Sequence, residues 1–330
     1  MKQEEYMPEK PGQVKISLTN LCNYRCVMCP NSTFKQPRGF MDDELAFRIV
    51  DDCVASGIKK LSLGSSGEPL LHKGFVRYLR YAKERGFWVS TATNCSLLTP
   101  KLTDEIMSVG IDRVNLSVYS ATPEEHKRYC GNNKFDDVVR NVTYFLEHWA
   151  AGGRVAEVNM GFLSIPGVND EAAFMRFWGP ITQRCGLKID RRDAVNWAGS
   201  MDTFKDSVVQ RRWGVSRDRG QLVVRFSKVV PCTQMPSYVY ILHDGTVLPC
   251  CFFPDSTDHP EMQFGNVRES SIVAVWQSPR FRRFRENHFR CEVKGYAPCI
   301  ACEARFRLFE IRPWATLRRL FTGPKTRAAT

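Results

Sequence analysis

Apolar and polar positions alternate between two periods along the first two thirds of the chain. Residues 14–19 alternate apolar with polar side chains and are rich in β-branching, which predicts a strand. Residues 42–56 change to a helical period, with Leu45, Ile49, Val50 and Val54 on one face. The same test predicts strands over 58–63, 87–92, 111–118, 155–165 and 187–191. Between them it predicts helices over 75–85, 101–108, 135–149 and 171–184, the second opened by Thr99-Pro100. Connections of helix length imply parallel neighbours joined by right-handed crossovers. The class is therefore α/β, as a doubly wound sheet or a barrel. A full eight-stranded barrel takes about 250 residues. The pattern fades near Asn196, which favours an incomplete barrel. Residues 201–220 are polar and basic without a strong period, and read as a linker. Two more strands are predicted over 223–230 and 238–242, the second turning at His243-Asp244-Gly245. One helix is predicted over 272–285, and the tail after Phe321 reads as frayed.

Composition narrows the picture. The chain has 330 residues, 43 % of them hydrophobic and 25 % charged, which excludes a wholly disordered or fibrous protein. No apolar run is long enough to span a membrane, and residues 1–12 have no apolar core of a secretory signal. A cytoplasmic location is expected. The net charge is +12, and residues 273–330 carry 13 basic against 4 acidic side chains. No zinc-finger, RNA-binding or helix-turn-helix signature accompanies them, so a solvated basic face is expected and no nucleic-acid partner.

The chain has 13 cysteines. Without a signal for secretion, such thiols act as ligands, catalytic groups or small core residues. Cys22, Cys26 and Cys29 are spaced C-x3-C-x2-C directly after the first strand. Three thiolates on one loop suit three corners of a cubic iron–sulfur cluster; zinc is the alternative, but no fourth ligand follows closely. Cys232, Cys250, Cys299 and Cys302 form a second, more widely spread set, suited to a second cubane or to zinc. Cys251 and Cys291 stand beside these four, Cys291 as an alternative ligand, while Cys53, Cys95, Cys130 and Cys185 are isolated.

The triad resembles the defining motif of the radical S-adenosylmethionine enzymes. That resemblance covers residues 14–199 and implies a partial (β/α)6 barrel of the TIM type. It implies a 4Fe-4S cluster whose open iron binds S-adenosylmethionine, one-electron cleavage to a 5′-deoxyadenosyl radical, and a flavodoxin or ferredoxin-type electron donor. Met28 stands where the family places a residue near the adenine. Gly67-Glu68-Pro69 resembles the family's contact to the methionine amino group, and Asn94 and Ser117 match cofactor-side positions. Residues 230–304, with Asp244-Gly245 through Cys250-Cys251, resemble the shortened auxiliary domain called twitch, a relative of SPASM. It implies one auxiliary 4Fe-4S cluster on Cys232, Cys250, Cys299 and Cys302. Residues 200–229 would then be a linker region and residues 305–330 a basic extension.

Relatives of this form resemble tailoring enzymes of carbohydrates and aminocyclitols. The first expectation is an epimerase, with Cys251 returning a hydrogen atom to the carbon radical. A dehydrogenase of a secondary alcohol is the alternative. A peptide-modifying maturase and a non-catalytic electron carrier are further alternatives. Glu157, Asn159, Asp190, Arg192 and Asn196 are candidates for a small polar, carbohydrate-like substrate.

Overall fold

The computed structural model describes residues 3–165, 168–194, 197–201, 213–218, 221–232, 234–302 and 306–311. After a short helix α1 (Gln3–Tyr6), strands and helices alternate: β1 (Gln13–Ile16), α2 (Asp43–Ala55), β2 (Lys60–Leu63), α3 (Phe75–Glu84), β3 (Trp88–Thr93), α4 (Pro100–Val109) and β4 (Arg113–Leu116). Two helices follow, α5 (Pro123–Cys130) and α6 (Phe135–Ala151), then β5 (Glu157–Ser164), α7 (Glu171–Arg184) and β6 (Ile189–Asp193). Strands β1 to β6 lie side by side in chain order, all parallel, as the core of a partial barrel.

The register follows from which side chains can be buried. Val14, Ile16, Leu61, Leu63, Val89, Val114, Leu116, Val158 and Met160 are buried in one continuous core. Each such side chain is worth about 1.5–3 kcal/mol out of water. A slip of one residue would exchange them for Lys15, Ser62, Asn115 and Asn159 on the other face, so the pairing has one favourable register. That second face is the concave, polar side of the barrel.

Four helices start on the expected chemistry: the side chains of Asp42, Thr99, Thr122 and Asp170 accept from the first turns of α2, α4, α5 and α7. Helix α5 is absent from the sequence reading. Its Thr122-Pro123 start was legible, but Glu-Glu-His-Lys-Arg hides the apolar period, although Glu125, His126, Tyr129 and Cys130 are buried.

The C-terminal α+β part contains β7 (Trp213–Asp218), β8 (Gln221–Val229), β9 (Tyr238–Ile241), β10 (Val247–Leu248), α8 (Ile272–Gln277), α9 (Pro279–Phe289), α10 (Ala297–Ala301) and β11 (Phe306–Ile311). Three expectations change here. Residues 201–220 are not all linker, because β7 pairs antiparallel with β8, and β11 completes that three-stranded sheet from within the basic extension. The expected single helix over 272–285 is two helices: Ser278 is extended (φ −55°, ψ 143°) because Pro279 forbids a helical residue before it. The hairpin of β9 and β10 does not stand apart. Strand β9 pairs parallel with β1, from Gln13 opposite Tyr238 to Ile16 opposite Ile241. It satisfies a sheet edge that would otherwise expose unpaired backbone groups. The tail after Phe321 lies outside the described residues. No described helix is long and apolar enough to cross a membrane.

Candidate active site

The loop after β1 carries the cysteine triad, and its shape is set by backbone bonds rather than by the thiols. Asn20 anchors its base, donating to the Pro37 carbonyl (2.8 Å) and accepting from the Gly39 amide (2.9 Å). Further along, Arg25 N–H donates to the Cys130 carbonyl and Val27 N–H to that of Tyr129, both at 3.0 Å. Cys29 N–H closes the loop on the Cys26 carbonyl at 3.1 Å. Burial pushes the Cys22 thiol up to about 12 and the Cys29 thiol up to about 11, and the three sulfurs feel one another's charge. Among the described residues Arg38 is the one cation that favours the Cys29 thiolate, and burial outweighs it; a cationic iron centre would supply the remaining counter-charge. Among the described residues no three His, Cys, Asp or Glu side chains converge on a single metal ion. Three thiolates on one loop with no close fourth ligand suit three corners of a cubane better than a four-coordinate zinc site.

Glu68 follows β2 and is 2 % exposed. Its Oε1 accepts from Leu70 N–H (3.1 Å) and Thr93 Oγ1 (2.8 Å), and its Oε2 from Asn94 N–H (2.8 Å). Burial nevertheless pushes its carboxyl up to about 7, more than these donors pull it down. Gly67 lets the Glu68 loop touch the triad loop. A Cβ there would lie 2.6 Å from the Thr19 carbonyl oxygen and collide with that of Leu21. Gly67→Ala is expected to cost about 1–3 kcal/mol, because backbone must move. A lowered midpoint in chemical denaturation with an unchanged slope is the check.

Beyond β3, Cys95 adopts a left-handed φ of 67°. This turns Asn94 back so that its Nδ2 donates to Asn23 Oδ1 (2.8 Å) while its Oδ1 accepts from Ser96 Oγ (2.7 Å). Asn94 thus ties the triad loop to β3 with its side chain and holds Glu68 with its amide.

These pieces surround one cavity of about 430 Å³ at the C-terminal ends of the barrel strands. Cys22, Cys26, Cys29, Met28, Gly67, Glu68, Asn94 and Ser117 line one part of it, and Asn159 and Arg192 another. The Asn159 Nδ2 donates to Asn115 Oδ1 (3.1 Å), whose own Nδ2 donates to the Thr91 carbonyl (3.0 Å). That ladder aims the two amides into the barrel. Glu157 lies elsewhere, bonded to Arg113 at the start of β5, because the strand carries it to the opposite end from the mouth. Asp190 faces Arg192 at 3.4 Å and does not line the cavity. Asn196 lies outside the described residues.

Of the rest of the lining, the sequence points to Trp197, after the sixth strand, and to Cys130, near a strand end, but not to Tyr24, Tyr119, Phe162 or Phe252. Tyr24, Tyr119, Phe162, Trp197 and Phe252 supply apolar walls, and Cys130 a further thiol. The Trp197 indole donates to the Met28 carbonyl (2.7 Å), and its ring lies 6.1 Å from that of Phe252. The one available signal for Phe252 was its position directly after Cys250-Cys251.

The second thiol set is assembled from distant chain positions. Burial pushes the Cys250 thiol well up, and Cys302, Cys299, Cys251 and Cys232 add to the effect as nearby charges. Four soft donors, two of them near or within α10, fit an iron–sulfur or zinc centre by the same counter-charge argument. Cys251 turns elsewhere. Its sulfur lies 3.2 Å from the Tyr238 hydroxyl and 3.5 Å from Lys15 Nζ, and it does not line the cavity.

A parallel partial barrel with a three-thiol loop at the strand ends, next to a buried carboxylate, defines a cluster-dependent S-adenosylmethionine enzyme. Residues 16–177 match the Radical SAM superfamily, and residues 232–303 match SPASM, an iron–sulfur cluster-binding domain. The chain is 32 % identical to the AdoMet-dependent heme synthase of Methanosarcina barkeri, over 91 % of this chain and 93 % of that protein. It belongs to the radical SAM superfamily and is an enzyme of its SPASM-bearing branch. A tungsten-containing aldehyde ferredoxin oxidoreductase cofactor-modifying protein of Pyrococcus furiosus is 24 % identical, over 88 % of this chain and 86 % of that one. Among solved structures, BtrN in complex with AdoMet and 2-DOIA superposes with a TM-score of 0.56 at 17 % identity, covering 88 % and 92 % of the two chains. Membership implies an iron–sulfur cluster and S-adenosylmethionine.

Proposed function

We propose that the enzyme is an oxidoreductase that dehydrogenates a hydroxyl-bearing carbon of a small polar substrate of the aminocyclitol or sugar kind. The observation that carries this reading is the separation of Cys251 from the cavity. Epimerisation by that thiol needs its sulfur beside the substrate carbon, whereas it is engaged by Tyr238 and Lys15. Phe252, two residues from Cys250, does reach the cavity. The superposition on a structure holding AdoMet and 2-DOIA supports the same substrate size.

When bound, the cluster and S-adenosylmethionine would supply hydrogen-atom abstraction, a second cluster would accept the remaining electron, and the hydroxyl proton would leave to a base or to solvent at the cavity mouth. The chain's own residues do the rest. Cys22, Cys26 and Cys29 would hold the first cluster, and Cys232, Cys250, Cys299 and Cys302 the second. The Glu68 carboxylate takes the ammonium of S-adenosylmethionine, and Met28 and Ser117 pack beside it. Arg192 donates to substrate oxygens, and Asn159 presents its free Oδ1 to a hydroxyl or ammonium. Tyr24, Tyr119, Phe162, Trp197 and Phe252 keep water from the reacting carbon.

The test is turnover of a panel of aminocyclitols and hexoses in deuterium oxide. The expected product is a ketone formed one-for-one with 5′-deoxyadenosine, and Cys251→Ala is expected to retain turnover within about twofold. An inverted product carrying solvent deuterium, lost in Cys251→Ala, would establish the epimerase instead.

A further inference from the structure

We propose that Cys130 is the resolving thiol of Cys26. In the chain without iron the two form a disulfide, which shields the triad from irreversible oxidation and bars cluster loading until a thiol reductant opens it. Cys130 ends α5, is 3 % exposed and lines the main cavity, yet the reaction proposed above makes no use of it.

Three independent features place it against Cys26. The Arg25 and Val27 amides donate to the Cys130 and Tyr129 carbonyls, both at 3.0 Å, so residue 26 is bracketed by bonds to the end of α5. Gly131, at φ +74°, is where the two backbones press closest: a Cβ there would lie 3.2 Å from both Cβ and O of Arg25. Both cysteines line the same cavity, and Cys130 is the leading influence that pushes the Cys26 thiol up. Backbone bonds on either side of residue 26 keep it close against the end of α5, as the Cα span of about 4.4–6.8 Å of a disulfide requires. Cys22 and Cys29, although nearer in sequence, feel Cys26 only as a charge.

The chemistry balances with hydrogen peroxide as oxidant. The Cys26 and Cys130 S–H bonds break and one S–S bond forms. The two sulfurs together lose two electrons, the peroxide O–O bond is reduced, and two waters leave. Without a partner, Cys26 sulfenic acid proceeds to sulfinic acid, which thiols do not reverse. In the loaded enzyme the cluster occupies Cys26, so Cys130 stays a thiol. The proposal stands whichever reaction the enzyme catalyses.

The experiment uses the full chain in two states, reconstituted and iron-depleted, each exposed to hydrogen peroxide. Thiols are then blocked with N-ethylmaleimide, and the protein is digested with trypsin without reductant. Peptide 26–35 is expected linked to peptide 129–134 in most of the iron-depleted chain, with fragmentation placing the bond on Cys26. The reconstituted enzyme is expected to show the link at least tenfold less. Cys130→Ser should lose the link and accumulate Cys26 sulfinic acid. The proposal is overturned if Cys130 remains alkylated while Cys26 is oxidised, if the link falls on Cys29, or if Cys26 pairs with Cys22 or Cys29. Equal linkage in both states would overturn the shielding role.

Discussion

Replacing Cys22, Cys26 and Cys29 together with alanine is expected to abolish formation of 5′-deoxyadenosine while leaving about half of the reconstituted iron in place. The reasoning is geometric. The triad lies on one loop at the mouth of the barrel, and Cys232, Cys299 and Cys302 are near enough to act as charges on Cys250 in the C-terminal part. Two cubanes hold about eight irons, so the triple variant should retain about four, with a cluster signal intact. The three triad side chains are only half-buried, so no large loss of folding stability is expected from removing them. A triple variant with full iron content would show that the triad holds no cluster. Zinc in anaerobically prepared wild-type protein would reassign the second set alone.

Glu68→Gln is expected to weaken S-adenosylmethionine binding about 10- to 100-fold, the worth of a charge-assisted pair between a carboxylate and an ammonium. The pH dependence is the sharper signature. In the protein without its ligand, burial holds the Glu68 carboxyl up to about 7 against an ordinary 4.5. Binding an ammonium requires the ionised form, so wild-type affinity should fall about tenfold per pH unit below pH 7 and level off above it. The variant should show no such slope. For folding the sign is reversed: a raised folded value for an acid means that this group's contribution declines as pH climbs from about 4.5 to about 7 and is constant above. Equilibrium binding between about pH 5.5 and 8 distinguishes the cases. A flat wild-type profile would remove Glu68 from the ammonium site.

The sequence-level reading reached the α/β core because each strand and helix announces itself over a few residues. Residues 171–184 illustrate this: Asp170 caps, Phe174, Trp178 and Ile181 share one face, and the helix forms as expected. The misses have equally local causes. Helix α5 buries a face made of Glu125, His126, Tyr129 and Cys130, which no hydropathy period would choose. Strand β7 lies in a basic stretch and exists by pairing with β8, a partner that composition does not reveal. Of the five substrate candidates, Asn159 and Arg192 face the cavity while Glu157 and Asp190 do not, because strand phase and strand end had to be known together.

By itself the sequence determined the chemistry on offer: three thiols within eight residues after the first strand, a Gly-Glu-Pro turn after the second, and a later set of four cysteines. Spacing along a loop is conserved on folding, so such clusters survive any tertiary arrangement. Only the tertiary structure decided what those groups face. It closed β9 on the open edge of β1, gathered Cys232, Cys250, Cys299 and Cys302, and turned Cys251 to Lys15 while sending Phe252 into the cavity. It also laid the end of α5 on the triad, putting Cys130 beside Cys26. The reason is that these outcomes depend on which distant edges and faces are left unpaired. Satisfying a sheet edge or a buried carbonyl is a free-energy choice among remote partners, and no periodicity within a window of residues records it.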